Sequence, residues 1–172
     1  MPPRNHPASR RPAGFTLLEL LVTLAIVAIL MSIAFPSFRS MIVGERIKSA
    51  SFDIVASLTM ARSEAIKWNG NVTVAPVSSS WTNGWTITSP GGTTGDIKTQ
   101  SAFTAVDANS TTATRVPQVN VTGPTSVVYN RSGRLNSTAA VTFEVTDPSG
   151  TVEARCVTVG LTGQPTTKAG NC

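Results

Sequence analysis

Residues 20–38 read LLVTLAIVAILMSIAFPSF, nineteen amino acids without a charge. As a helix rising 1.5 Å per residue, such a run reaches about 28 Å, close to the roughly 30 Å of hydrocarbon in a bilayer. Arg4, Arg10 and Arg11 stand before it. Basic residues on one flank predict that flank inside and the bulk of the chain outside. A secretory signal begins the same way, but it has a shorter apolar core followed by a small-residue cleavage site. Here the run ends in AFPSFRSMIVGERI, with no Ala-x-Ala site. The segment therefore predicts a single-span, membrane-anchored chain.

One acid, Glu19, sits at the start of this run and four residues beyond Phe15. An ionised carboxylate near lipid is costly and usually has a partner. It either reaches the interface or meets a positive group, from another chain or from a newly made amine. The other end carries Pro36, which removes a helical hydrogen bond. Two outcomes are open there: one long helix with a kink, or a helix that ends at Phe35 and restarts. Beyond it, Ile47, Ile54, Leu58, Ala61 and Ala65 recur at three- and four-residue steps, with Ser51 filling the first gap. This is an amphipathic helical stripe, and Asn69-Gly70 is its stop signal.

After Gly70 the period changes to two. NVTVAPV, GWTITS, TSVVYN, AVTFEVTD and VEARCVTVG concentrate β formers. Asn83-Gly84, Pro90-Gly91-Gly92 and Pro148-Ser149-Gly150 read as turns. FEVTDPSGTVEARCVTV is the clearest antiparallel hairpin. Residues 104–120 carry little periodic signal and read as a surface loop or a weak strand pair. One helix must cover an apolar sheet face. The expected architecture is α+β: a long N-terminal helix, transmembrane in its first half and amphipathic in its second, kinked or interrupted at Pro36 and packed on an antiparallel β-sheet head.

Charged residues make up 13% of the chain, against about 25% in ordinary soluble domains, so the exterior is polar but weakly charged. The net charge of +5 falls to +2 without the three arginines before Gly14, so the basic balance is poor evidence for nucleic-acid binding by the rest. Cys156 and Cys172 are the two cysteines. In a chain that leaves the cytoplasm they read as one disulfide, with a pair of free thiols as the alternative. His6 is the single histidine, so no four-ligand metal site assembles near them, and neither a paired-carboxylate cluster nor a nucleophile elbow is present. No enzyme activity, metal or cofactor is expected. Trp68, Trp81 and Trp85 read as core packing or sheet cover more readily than as a stacking platform.

The segment GFTLLELLVTLAIVAIL, Gly14 to Leu30, resembles the processing and assembly signal of type IV pilins and type II secretion pseudopilins. The resemblance implies cleavage after Gly14 by a prepilin peptidase, a methylated Phe15 as the new N-terminus, and a Glu19 that guides assembly by pairing with the amine of a neighbouring subunit. It divides the chain into a leader (1–14), a transmembrane assembly helix (15–38), an amphipathic helix entering the head (39–70) and a β-rich head (71–172). LTMARSEAIKWNGNVTV, VVYNRSGRLN and the hairpin ending in Arg155-Cys156 with its tail VTVGLTGQPTTKAGNC are similar to the minor pilin and pseudopilin H family, FimT/FimU-like. DNA-binding members carry Gly-Arg-x-Arg in the C-terminal segment, where this chain has Gly163-Gln164-Pro165-Thr166. Arg131, Arg134, Arg155 and Lys168 remain as possible phosphate contacts, and Arg131-Ser-Gly-Arg134 also reads as a solvated turn. The implied function is a minor type IV pilin, a structural or initiating subunit of pilus assembly. The alternatives are a DNA-binding minor pilin for natural transformation and a minor pseudopilin of type II secretion. The implied partners are major and minor pilins or pseudopilins, the inner-membrane assembly platform and, in the second case, double-stranded DNA. The implied location is the bacterial inner membrane, N-terminus cytoplasmic and head periplasmic, before incorporation into a pilus or pseudopilus.

Overall fold

The computed structural model describes residues 15–90, 96–106, 115–117 and 119–172. The expected leader, with Gly14, lies outside the described residues. The chain divides into two compact units, one ending at Phe38 and the other running from Arg39 to Cys172.

A single helix, α1, spans Leu17–Lys67. Thr16 precedes it as a side-chain cap, its Oγ1 accepting the Glu19 N–H at 3.2 Å. A Thr three residues before a Glu at a helix start is the capping-box pattern. The helix assignment continues through Pro36, so the alternative of a stop at Phe35 and a restart is not what the chain adopts. At the far end, Asn69 takes φ 49°. The Gly70 N–H reaches the Ala65 carbonyl and the Asn69 N–H the Ile66 carbonyl, both at 3.2 Å. These two bonds form a Schellman motif with Asn69, not the glycine, in the left-handed position.

Within the second unit, Ile47, Ile54, Leu58, Ala61 and Ala65 are all at most 1% exposed, and Ser51 with them. The stripe read from the spacing is the core face of α1. It is covered by two four-stranded antiparallel sheets. In the first, the order is β3 (Asp96–Gln100), β2 (Trp85–Thr88), β1 (Val72–Pro76), β7 (Val127–Tyr129). In the second, it is β10 (Pro165–Ala169), β9 (Arg155–Val159), β8 (Val141–Thr146), β6 (Asn120–Thr122). The pair β4 (Thr104–Val106) and β5 (Arg115–Pro117) forms a separate ladder. Short 3-10 turns at Val77–Ser79 and Trp81–Asn83 link β1 to β2.

Alternation along the strands builds the core. Val72 and Val74, Ile87, Val127 and Tyr129 face inward from one sheet; Phe143 and Val145, Val157 and Val159 from the other. All join the α1 stripe in one cluster. Of the three tryptophans expected to pack, Trp81 and Trp85 belong to it. Trp81 packs edge-on against Phe143, ring centroids 4.7 Å apart, and its Nε1 donates to the Pro124 carbonyl at 2.6 Å. Trp85 stands 5.8 Å from Trp81 and 5.6 Å from Phe103. Trp68 differs: it is exposed at the end of α1, where its Nε1 donates to Glu64 at 2.8 Å.

Candidate functional site

The first region of interest is the start of α1. From Phe15 to Phe35 the large apolar side chains are exposed in the isolated chain, Phe15 by 81% and Ile33 by 72%. Such a surface needs lipid or other protein to cover it. Its polar side chains do not spoil that surface. Thr23 Oγ1 donates to the Leu20 carbonyl at 2.8 Å and Ser32 Oγ to the Ile29 carbonyl at 2.7 Å, so both hydroxyl protons are satisfied within the helix. Glu19 occupies the first helical turn and is exposed. There the helix dipole favours an acid.

The second region is a pair of turns at the C-terminal end of α1. Asn130 organises the first. Its Oδ1 accepts the Ser132 and Arg134 N–H groups at 3.0 and 3.1 Å, and Gly133 N–H reaches its carbonyl at 2.8 Å. Arg131 and Arg134 are exposed on this turn. The second turn joins β9 to β10 and includes Gly163 at φ 82°. A Cβ at Gly163 would overlap the Gly133 carbonyl oxygen, so two glycines let the turns touch backbone to backbone. Arg62 of α1 clips them together. Its Nε donates to the Gly133 carbonyl and its Nη1 to Gln164 Oε1, each at 3.0 Å. Beneath lies the Tyr129 hydroxyl, buried and without a hydrogen-bond partner among the described residues. Burial pushes its pKa up to about 12, against a smaller opposing effect of the Arg62 charge.

The third region is the other end of the β9–β10 hairpin. Arg155 pairs with Ala169 and with Val145, while Lys168 pairs with Cys156. Adjacent ladder rungs put the Arg155 and Lys168 side chains on opposite sheet faces. Arg155 is half-buried, and its Nε has no hydrogen-bond partner among the described residues; Lys168 is exposed. The strand between this end and the Gly163 turn separates the two regions by roughly 15 Å. The four cations singled out from the sequence are thus divided: Arg131 and Arg134 share one turn, and Arg155 and Lys168 stand at the opposite end of the hairpin. Gln164 is held by Arg62.

Cys156 is bonded to Cys172, which fastens the end of the chain over the outer face of the second sheet. The hairpin turn between β8 and β9 is closed by Asp147. Its carboxylate accepts the Ser149 and Thr151 N–H groups at 3.1 and 3.0 Å and both hydroxyls at 2.6 and 2.8 Å. Burial alone would raise its pKa, but these four hydrogen bonds to the ionised form win and hold it well below the usual carboxylate range.

Arg62 and the Asp147 knot were not singled out from the sequence. For Asp147 a local signal existed, since Asp-x-Ser-x-Thr around a turn glycine is an Asx-type arrangement. Arg62 offered none, because its partners are 71 and 102 residues away.

A family profile described as type II transport protein GspH matches residues 50–163, more than half of the chain. The chain belongs to the GspH family. A second profile, the prokaryotic N-terminal methylation motif, matches residues 9–35 of this GspH-family chain. No curated protein matches it in sequence. Among solved structures, the fold is similar to the type IV minor pilin FimU of Pseudomonas aeruginosa in two crystal forms. One gives a TM-score of 0.55 at 18% identity, covering 71% of this chain and 95% of FimU; the other gives 0.56 at 18%, covering 73% and 92%. The minor pseudopilin EpsH of the Vibrio cholerae type 2 secretion system gives 0.50 at 15%, covering 72% of this chain and 97% of EpsH. The GspH-family assignment and the fold shared with a minor pilin and a minor pseudopilin agree with one another.

Proposed function

We propose that this chain is a minor type IV pilin. A prepilin peptidase cuts after Gly14 and Phe15 becomes the methylated N-terminus. Residues 15–38 hold the subunit in the bacterial inner membrane, with the N-terminus cytoplasmic and the head periplasmic. An inner-membrane assembly platform then moves it into a filament beside major and minor pilins. Its work is organisational: the stem enters the helical bundle and the head selects neighbours.

The observation that carries this reading is the chemistry of α1. Its first half is an uncharged apolar helix with internally satisfied hydroxyls and a single acid in the first turn. In lipid alone, that acid next to a fresh amine is poorly compensated. A neighbour staggered along the filament offers the opposite charge where water is scarce, although desolvation limits the net gain. Close packing of Leu, Ile, Val and Ala replaces lipid contacts for the rest.

The family profile and the likeness to EpsH support a second reading, a minor pseudopilin of type II secretion. Direct DNA capture is less well supported: Gln164 and Thr166 replace the two arginines of the binding signature, and the remaining cations are divided between two ends of the head. Mass spectrometry of sheared filaments tests the principal reading. It should find the chain beginning at Phe15, and Glu19→Lys should cut its incorporation sharply while leaving membrane insertion intact. An intact leader in the assembled chain, or undiminished incorporation of E19K, rejects it. Recovery of the chain with secretion components instead of pilins selects the second reading.

A further inference from the structure

Trp68 is the tryptophan that the core does not take up. It is 49% exposed, against 3% for Trp81 and 1% for Trp85. Its indole is nevertheless held in place. The Nε1 donates to a Glu64 carboxylate oxygen at 2.8 Å, and the Lys67 Nζ stands over the ring, 5.4 Å from its centroid. Lys67 also pairs with Glu64 at 3.2 Å. The bond from Lys67, and after it the bond from the indole, lower the Glu64 pKa. The carboxylate is therefore ionised at neutral pH, and the two charges balance. Asn69 and Asn71 follow in the chain, both exposed. At 100° per residue, Glu64 and Trp68 lie on one flank of the buried Ala61 and Ala65, and Arg62 and Ile66 on the other. Arg62 and Ile66 lean on Gly133, so the turn that carries Arg131 and Arg134 belongs to that other flank.

We propose that Trp68 is a stacking platform for a pyranose ring of a neutral glycan, with Glu64, Lys67, Asn69 and Asn71 supplying hydrogen bonds to its hydroxyls. The proposal goes beyond the assembly reading and does not depend on it. Three properties identify the occupant. A pyranose presents a face of weakly positive C–H groups, which the negative face of an indole attracts. Its rim of hydroxyls needs donors and acceptors together, and a carboxylate, an ammonium and two amides supply both. The indole is also fixed before anything binds, because its N–H is already satisfied, and this lowers the ordering cost of binding. A nucleic-acid strand could stack in the same way, but its phosphates need free cations. The cation here, Lys67, is engaged by Glu64. A protein hot spot needs surrounding contacts that exclude water, whereas Trp68 stands among polar side chains and the exposed Ile66 lies on the far flank.

The test uses the full-length chain in a detergent without a sugar headgroup, titrated with chitotetraose and with cellotetraose, which compares an acetamido sugar with a plain hexose. Trp81 and Trp85 are buried, so a change in the solvent-sensitive emission reports Trp68. At least one tetramer should shift that emission to shorter wavelength, saturably, at millimolar concentration or below. Calorimetry then compares variants with the parent. Trp68→Ala should raise the Kd by roughly tenfold or more, the scale of one lost aromatic stack. Trp68→Tyr keeps an aromatic face and should lose less. Both should unfold in urea close to the parent, because the indole lies outside the core. No response to either tetramer, or equal affinity of Trp68→Ala and the parent, overturns the proposal. A response to an oligothymidylate strand with none to the sugars assigns the indole to nucleic acid and overturns it as well. So does loss of Trp68→Ala from filaments with no response to either sugar, which makes Trp68 a subunit contact.

Discussion

Arg62 and Gln164, 102 residues apart in sequence, meet through a hydrogen bond of 3.0 Å from the Arg62 Nη1 to the Gln164 Oε1. The same guanidinium donates through Nε to the Gly133 carbonyl, so one helical side chain fixes two turns at once. A charge-assisted bond partly shielded from water, as the one to Gly133 is, contributes about 1.5–3 kcal/mol, and the exposed one to Gln164 much less. Arg62→Met, which keeps the apolar stem, should lower head stability by about 2 kcal/mol in urea unfolding. It should also speed amide exchange at Gly133 and Gln164 well before the sheets open. Equal protection of both turns in the variant and the parent rules out the clip.

Gly163 lies where a side chain is refused twice, by its φ of 82° and by the Gly133 carbonyl oxygen. Gly163→Ala should destabilise the head by more than about 1 kcal/mol, because backbone strain and a backbone clash together outweigh the stabilisation that comes from the lower entropy of the unfolded chain. Gly150→Ala serves as the comparison. It also has positive φ, 68°, but nothing lies within 4 Å of its added Cβ, so its loss should be the smaller. Thermal unfolding of both variants checks the ordering.

The sequence made some of this legible and hid the rest for physical reasons. The helix stripe from Ile47 to Ala65, the stop at Asn69-Gly70 and the strands β1, β2, β7, β8 and β9 follow from periodicity, because each has a face that the core must cover. Strands β3 and β10 escaped because they are sheet edges. DIKTQ and PTTKA have little buried alternation to display, and Pro165 stands at the first position of an edge strand, where its missing N–H costs least. Strand β6 is three residues long, too short for a period to register. The weak region 104–120 does hold a strand pair, β4 with β5, although residues 107–114 lie outside the described residues. Spacing could place Arg131 and Arg134 on one turn. It could not separate Arg155 and Lys168 from them, since that distance is set by how the β9–β10 hairpin folds across the sheet.

Asp147 ties the β8–β9 turn by accepting four hydrogen bonds, and these outweigh its burial to hold its folded pKa below the ordinary carboxylate value of about 3.9. The folded value is depressed, so the stabilisation is fully present above about pH 4–5 and is lost as pH falls through the folded value. Asp147→Asn should therefore be destabilising at neutral pH. It should also flatten the fall in stability on acidification between about pH 4 and 2. Urea midpoints across that range decide the matter: parallel curves for variant and parent would show that the carboxylate charge contributes nothing to the turn.

Cys156 lies on the outer face of the second sheet, in the ladder row of Glu144 and Lys168, and is bonded to Cys172. The bridge closes a loop with a sequence separation of 16, which on chain-entropy grounds stabilises the folded state by about 3 kcal/mol. The loop contains β10 and the Gly163 turn, so its loss should be felt first at that sheet edge and at the turns held by Arg62. The proposed membrane stem, residues 15–38, is far from it in sequence. Cys156→Ser should therefore lower the unfolding free energy of the head by about 3 kcal/mol and reduce filament incorporation, while insertion into the membrane stays at the parental level. Urea unfolding, carbonate extraction of membranes and quantification of the chain in sheared filaments read these three effects separately. If stability and incorporation both match the parent, the bridge is not what holds the C-terminal hairpin in its assembly-competent form.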